Sequence, residues 1–157
     1  MRSSSVHEIK EELVTLKPGE LTALCLRLAR FKKENKELLS YLLFEAQDEQ
    51  NYIKNIKQEI KDLFAEINLS HLYFAKKTLR KILRVINKHS RYSGNKQTDM
   101  ELRIFFCQQL KASGIPFRQN AVLSNMYEGQ LKKIDAAMAT LHEDLQHDHQ
   151  KEIAALR

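Results

Sequence analysis

Residues 70–91 read SHLYFAKKTLRKILRVINKHSR. Leu72, Ala75, Leu79, Ile82, Leu83 and Ile86 recur three and four apart there. At about 100° per residue they share an arc of about 100°, the core-facing stripe of an amphipathic helix. Lys76, Arg80, Arg91, Arg84, Lys77, Lys88 and Lys81 share a separate arc of about 140°, and Tyr73 lies among them. The pattern predicts a helix over about residues 70–91, roughly 33 Å long. Asn68 or Ser70 is its expected cap, and Tyr92, Ser93, Gly94 and Asn95 its exit.

No carboxylate occurs between Glu66 and Asp99, so the segment from Ile67 to Lys96 carries eight positive charges while the whole chain carries +6. The rest of the chain is therefore slightly acidic. Lys76/Arg80, Arg80/Arg84, Arg84/Lys88 and Lys77/Lys81 are like-charge pairs four apart, each unfavourable by roughly 0.2–0.5 kcal/mol. An anionic surface would remove that cost. A row of this length matches one turn of duplex or several nucleotides, and Tyr73 and Tyr92 are placed to stack on bases. The rival expectation is a covered face. Glu59, Asp62 and Glu66 cluster on the preceding predicted helix, opposite Lys54, Lys57 and Lys61, and an antiparallel neighbour could lay these acids along the row.

Outward from this segment the chain reads as helix throughout. Gly19 and Gly94 bracket seventy-four residues with neither Gly nor Pro, and Leu, Lys, Glu, Ala, Ile and Gln dominate. These are mostly helix formers, so the expected fold class is all-α. Ser5 and Glu8 have capping-box spacing ahead of Val6, Ile9, Leu13 and Leu16. Pro18 closes that helix and opens a second, with Leu21, Leu24, Cys25, Leu28 and Phe31 on one face. Asn35 is the expected cap of a third, which carries Leu38, Leu39, Leu42, Leu43 and Ala46.

Ile53, Ile56, Ile60, Leu63 and Ile67 continue the same register. Residues 35–67 are thus either one helix of about 33 residues, with Glu49 as a flaw in its seam, or two helices parted near Asp48 or Asn51. The usual range of about 8–20 residues favours the break. Thr98 and Glu101 form a second capping box before Leu102, Phe105, Phe106, Gln109 and Leu110, and Ser113-Gly114-Ile115-Pro116 is a helix stop. From about Gln119 a last helix carries Leu123, Tyr127, Leu131, Ile134, Met138, Leu141 and Leu145. Its register then meets Asp148 and Glu152, so residues 147–157 are expected to fray or to dock differently, through Ile153 and Leu156. With 157 residues the chain can bury a substantial core in one domain. The expectation is a single helical domain over residues 1–157, built as a multi-helix bundle or a short α-solenoid of about six antiparallel helices.

Ligand-type side chains concentrate in residues 141–149, LHEDLQHDH. On one helix His142 and His149 share a face, and His147 reaches Glu143 and Asp144, so two-ligand pairs form. The paired-histidine and Glu-x-x-His spacings of helical metal sites are missing, which leaves His142, His147 and His149 as weak metal candidates and a metal-dependent enzyme as the third reading. Nucleophile elbow, phosphate-binding loop and dinucleotide fingerprint are also missing, so no catalytic residue, cofactor or small-molecule substrate is expected.

Cys25 and Cys107 lie in apolar sequence and read as small buried hydrophobes. Tyr41, Phe44, Tyr52, Phe64, Phe74 and Phe117 read as packing. With no secretory signal and no run of about 18 apolar residues, the expected placement is cytoplasmic and away from membranes. The function expected is a non-enzymatic helical interaction or scaffold module with a protein partner or a homo-oligomeric state. The alternative is a nucleic-acid-binding protein that grips the RNA or DNA backbone with Lys76, Lys77, Arg80, Lys81, Arg84, Lys88, Arg91 and Tyr73.

Overall fold

A computed structural model describes residues 2–157, and all their regular structure is helical. Helices α1 (Val6–Leu13), α2 (Pro18–Phe31) and α3 (Lys33–Ser40) precede a π-helical turn at Tyr41–Glu45. Then come α4 (Glu49–Ala65), α5 (Leu72–Ser93), α6 (Lys96–Ala112), a 3₁₀ turn at Phe117–Gln119, α7 (Ala121–Met138) and α8 (Glu143–Leu156). The fold class is all-α, with eight α-helices among the described residues where about six were expected. They fall into two compact units, Met1–Phe44 and Glu45–Arg157.

In Glu45–Arg157 the central element is α6, which packs on α4, α5, α7 and α8. Met100, Leu102, Ile104, Phe106, Cys107 and Leu110 are all buried, a set too wide for one face. A helix surrounded by neighbours needs apolar residues all round, which is why burial extends beyond the stripe read from spacing. Ile53, Ile56, Ile60 and Leu63 of α4 and Ala75, Leu79, Ile82 and Ile86 of α5 are also buried. So are Leu123, Tyr127, Leu131 and Ile134 of α7.

One cation is buried in this core. Arg103 Nε and Nη2 lie 3.1 and 2.8 Å from the two Asp99 oxygens, and the guanidinium also donates to Gln130 at 2.6 Å and to Asn87 at 2.9 Å. Burial pushes the Asp99 carboxyl up, but the hydrogen bond and the charge of Arg103 outweigh it and hold the group below its ordinary value.

Residues 35–67 are two helices, parted where Asp48 accepts a hydrogen bond from the Asn51 N–H at 3.1 Å. Glu49, the flaw in the seam, accepts from the Thr98 hydroxyl at 2.6 Å and from Ser93, and so ties α4 to the junction of α5 and α6. This corrects the expected capping box at Thr98. With that hydroxyl engaged, Asn95 caps α6 through the Gln97 N–H at 2.8 Å, and Glu101 turns to Lys57 at 3.2 Å. The start of α5 is also corrected. His71 is its N-cap, and Asn68 instead accepts from the Ser70 N–H at 2.9 Å in the connecting turn. Gly94 ends α5 at φ 65°, a left-handed conformation that suits glycine.

The stripe from Leu123 to Leu145 is not one helix. The Thr140 hydroxyl donates to the Ala137 carbonyl at 2.7 Å, and the chain leaves the helical path before α8 begins at Glu143. A straight helix would have carried Asp148 and Glu152 inward, whereas the break re-phases the sequence so that Ile153 and Leu156 are buried. Residues 147–157 therefore dock rather than fray. Tyr127 Oη donates to the Leu156 carbonyl at 2.7 Å and Lys111 to Ala155 at 2.8 Å, satisfying the carbonyls at the end of α8.

In Met1–Phe44 the chain doubles back at Lys32, whose extended backbone (φ −142°, ψ 145°) separates α2 from α3. Asn35 does not cap α3. Its side chain donates to the Leu28 carbonyl at 2.8 Å and closes the corner. No residue of α1, α2 or α3 is buried, and Cys25, expected inside, is exposed.

Phe106→Ala is expected to lower the unfolding free energy of the main transition by about 3–5 kcal/mol, as for a fully enclosed ring. Phe31→Ala on α2 should shift it by no more than about 0.5 kcal/mol. Urea denaturation followed by circular dichroism measures both.

Candidate functional site

Each unit presents one conspicuous surface. Because α5 packs on α4 and α6 through Ala75, Leu79, Ile82 and Ile86, the opposite side of the helix faces outward. Lys77, Arg80, Lys81, Arg84 and Arg91 are exposed there, and Lys76 and Lys88 are half-buried. Among the described residues Lys76, Lys77, Arg80, Lys81, Arg84 and Arg91 have no carboxylate within ion-pair distance. The acids of α4 are engaged elsewhere or open: Glu59 lies 3.7 Å from His89, Asp62 accepts from Gln58 at 2.7 Å, and Glu66 is exposed. The covering row of Glu59, Asp62 and Glu66 is thus not formed over these six cations.

At the N-terminal end of the row Tyr73 is 71% exposed and Phe74 is 47% exposed, their rings edge to face at 5.5 Å. Phe74, read from sequence as packing, belongs to this surface. The signal was present in the projection, where Phe74 falls beside Lys81 rather than on the apolar stripe. His89, further along α5, lies 2.7 Å from the Tyr52 hydroxyl through Nδ1 and faces Glu59 through Nε2.

The second surface is apolar. Leu24, Leu26, Leu28, Phe31, Leu42, Leu43 and Phe44 are all exposed. A groove of about 670 Å³ runs between Leu26, Ala29 and Arg30 of α2 and Leu39, Leu43 and Phe44 beyond the corner. A smaller one of about 250 Å³ lies between Cys25 and Leu28 and the residues Leu38, Leu39 and Leu42. Sequence reasoning put Leu24, Leu28, Phe31, Leu42 and Leu43 on apolar helix faces and read Phe44 as packing, and it gave Leu26 no place. Periodicity reports that a helix has an apolar face and is silent on whether anything covers it.

The histidines do not converge. His142 is the N-cap of α8, 3.3 Å from Asp144, so the helix break removes the face it was expected to share with His149. His147 is exposed, while His149 lies 3.1 Å from Glu152. Among the described residues no group of three or more His, Cys, Asp or Glu side chains is placed to hold a metal ion, and no helix is long and apolar enough to cross a membrane.

The two thiols are chemically distinct. Burial pushes the Cys107 thiol up to about 12, so it stays protonated at neutral pH, whereas Cys25 is open to solvent. A maleimide at pH 7.5 is therefore expected to label one thiol in the native chain and both in denaturant, and Cys25→Ser should abolish native labelling. Compared with protein-family models, curated proteins and solved structures, the chain matches none.

Proposed function

We propose that this chain is a non-enzymatic helical interaction module, in which Glu45–Arg157 is the folded body and Met1–Phe44 docks a protein partner. The observation that carries the reading is the lack of any buried residue in α1, α2 and α3 beside seven exposed large apolar side chains from Leu24 to Phe44. Monomeric proteins rarely leave more than a few hundred Å² of contiguous apolar surface open, and helices this short are marginal without packing. A partner supplies what the unit lacks. The polar residues also favour a structural rather than catalytic economy, since Ser5, Asp48, Asn95 and Asn120 are each occupied as helix caps. The reading keeps the cytoplasmic placement expected from sequence, for which the free thiol of Cys25 is the support.

If the face serves docking rather than the core, Leu24→Glu with Leu28→Glu should leave hydrogen exchange of the α6 amides unchanged. Faster exchange in α6 would mean these side chains support the body, and the reading would fail.

A second reading is favoured by the open cation row. Six unpaired cations ending in Tyr73 and Phe74 suit a phosphate backbone with unstacked bases at one end. Each lost phosphate contact reduces the salt dependence by roughly 0.7–0.9 in log–log slope. Fluorescence anisotropy with a single-stranded RNA should show binding at about 50 mM salt. Lys77→Glu, Arg80→Glu and Arg84→Glu together should weaken it at least tenfold and flatten the slope by about 2 to 3. A wild-type chain without affinity under these conditions rules this reading out.

A further inference from the structure

The geometry points to an anionic lipid surface as the partner of α5, with the helix lying along the bilayer and Leu69, Tyr73 and Phe74 at its start entering the headgroup layer. The inference goes beyond the docking role of Met1–Phe44 and takes up the cation row that the second reading gives to a nucleic acid. Three observations carry it.

The first is apolar exposure at one end of the row. Leu69 is 65% exposed in the turn before α5, and Leu72, Tyr73 and Phe74 at the start of the helix are 37%, 71% and 47% exposed. Leu69 also borders an open cleft of about 320 Å³ with Phe64, Ile67 and Ala112, which extends the apolar zone past the helix start. Leu69 and Leu72 are aliphatic and have no ring face on which a base could stack, so a nucleic acid would account for the cations and leave these two uncovered. The headgroup layer covers aliphatic and aromatic side chains alike, and tyrosine, with an apolar ring and a polar tip, is enriched there.

The second is direction. At about 100° per residue Tyr73 projects with Arg91 and within about 20° of Arg80 and Arg84, while Phe74 falls within about 20° of Lys81. The two rings therefore share the outward face with the cations, and one plane laid against α5 meets both. Ala75, Leu79, Ile82 and Ile86 are buried on the opposite side, which keeps the body away from that plane. From Lys77 to Arg91 the row runs about 21 Å at 1.5 Å per residue.

The third is charge. Lys76, Lys77, Arg80, Lys81, Arg84 and Arg91 have no carboxylate within ion-pair distance, and none occurs in sequence between Glu66 and Asp99. Each cation held at an anionic leaflet contributes about fivefold in affinity. Stable attachment without a spanning segment takes two signals together, and an apolar anchor beside a polybasic row supplies both. The expected placement away from membranes rested on the lack of a spanning run. Among the described residues no helix is long and apolar enough to cross a bilayer, and a helix that lies on the surface needs no such length.

The chain contains no Trp, so Tyr73→Trp supplies a single fluorescent reporter at the anchor. Cosedimentation with phosphatidylcholine vesicles containing about 30% phosphatidylserine, at about 100 mM salt, should show binding that pure phosphatidylcholine vesicles do not. The Tyr73→Trp emission should shift to the blue on those vesicles and be quenched by lipids brominated on the acyl chain. Lys77→Gln, Arg80→Gln and Arg84→Gln together should weaken binding at least tenfold. Leu69→Gln, at an exposed position, should weaken it about threefold or more while leaving the circular dichroism and any RNA affinity unchanged.

Absence of binding to the phosphatidylserine vesicles overturns the proposal, and RNA binding in its place gives the row to the nucleic acid. Vesicle binding that Leu69→Gln leaves intact, or an unshifted Tyr73→Trp emission, also overturns it, because the row would then act by charge alone. None of these outcomes bears on Met1–Phe44, whose docking role is decided by α6 exchange in the Leu24→Glu, Leu28→Glu variant.

Discussion

Packing of α6 against four other helices governs the body of the protein, because burial around most of its circumference leaves mainly the arc of Gln97, Glu101, Phe105 and Gln108 partly open to solvent. Thr98 and Arg103 are polar and buried, and each is fully occupied: Thr98 donates to Glu49, while Arg103 holds Asp99, Gln130 and Asn87. Removing one partner from such a buried charge costs several kcal/mol, so α4, α5 and α7 are tied to α6 by directional bonds as well as by packing. The orientation of α5 follows. Once Leu79, Ile82 and Ile86 are committed to α4 and α6, its cations have only solvent to face.

Departures from a simple reading of the helical stripes share one cause: local capping and helix continuity yield where a tertiary contact is worth more. Thr98 has ideal capping-box spacing, yet its hydroxyl reaches across to α4 and a neighbouring Asn95 takes over the cap. The stripe ending at Leu145 is regular enough to predict one long helix, but continuing it would bury Asp148 and Glu152. A break of a few residues costs a few backbone hydrogen bonds, several of which are recovered at Thr140 and His142, and brings Ile153 and Leu156 inside. Glu49 interrupts an apolar seam and is for that reason able to bridge three helices.

The N-terminal unit stands in contrast. Its helices are properly started, by the Ser5 capping box and by Pro18, and its corner is closed by Asn35, so local structure is specified although α1, α2 and α3 bury no residue and Tyr41 beyond them is buried. That combination of well-defined secondary structure and open apolar side chains is what the proposed functions use. The body carries a cation row on a rigid helix, while the N-terminal element carries a face that gains by being covered.

How much of this was legible in the chain itself varies with the range of the interaction. All-α composition, Pro18, the stop at Gly114 and the separation of cations from the apolar stripe on α5 depend on neighbours within a turn or two, and the sequence by itself determined them, whereas it left residues 35–67 open between one helix and two. Burial of Arg103, the bridging role of Glu49, the re-phasing of α8, the failure of Glu59, Asp62 and Glu66 to cover the cations and the exposure of Cys25, Phe31 and Phe44 were decided only by the tertiary structure. An apolar stripe has the same period whether or not another helix lies against it, and a carboxylate has the same spacing whether it points at a lysine or past it.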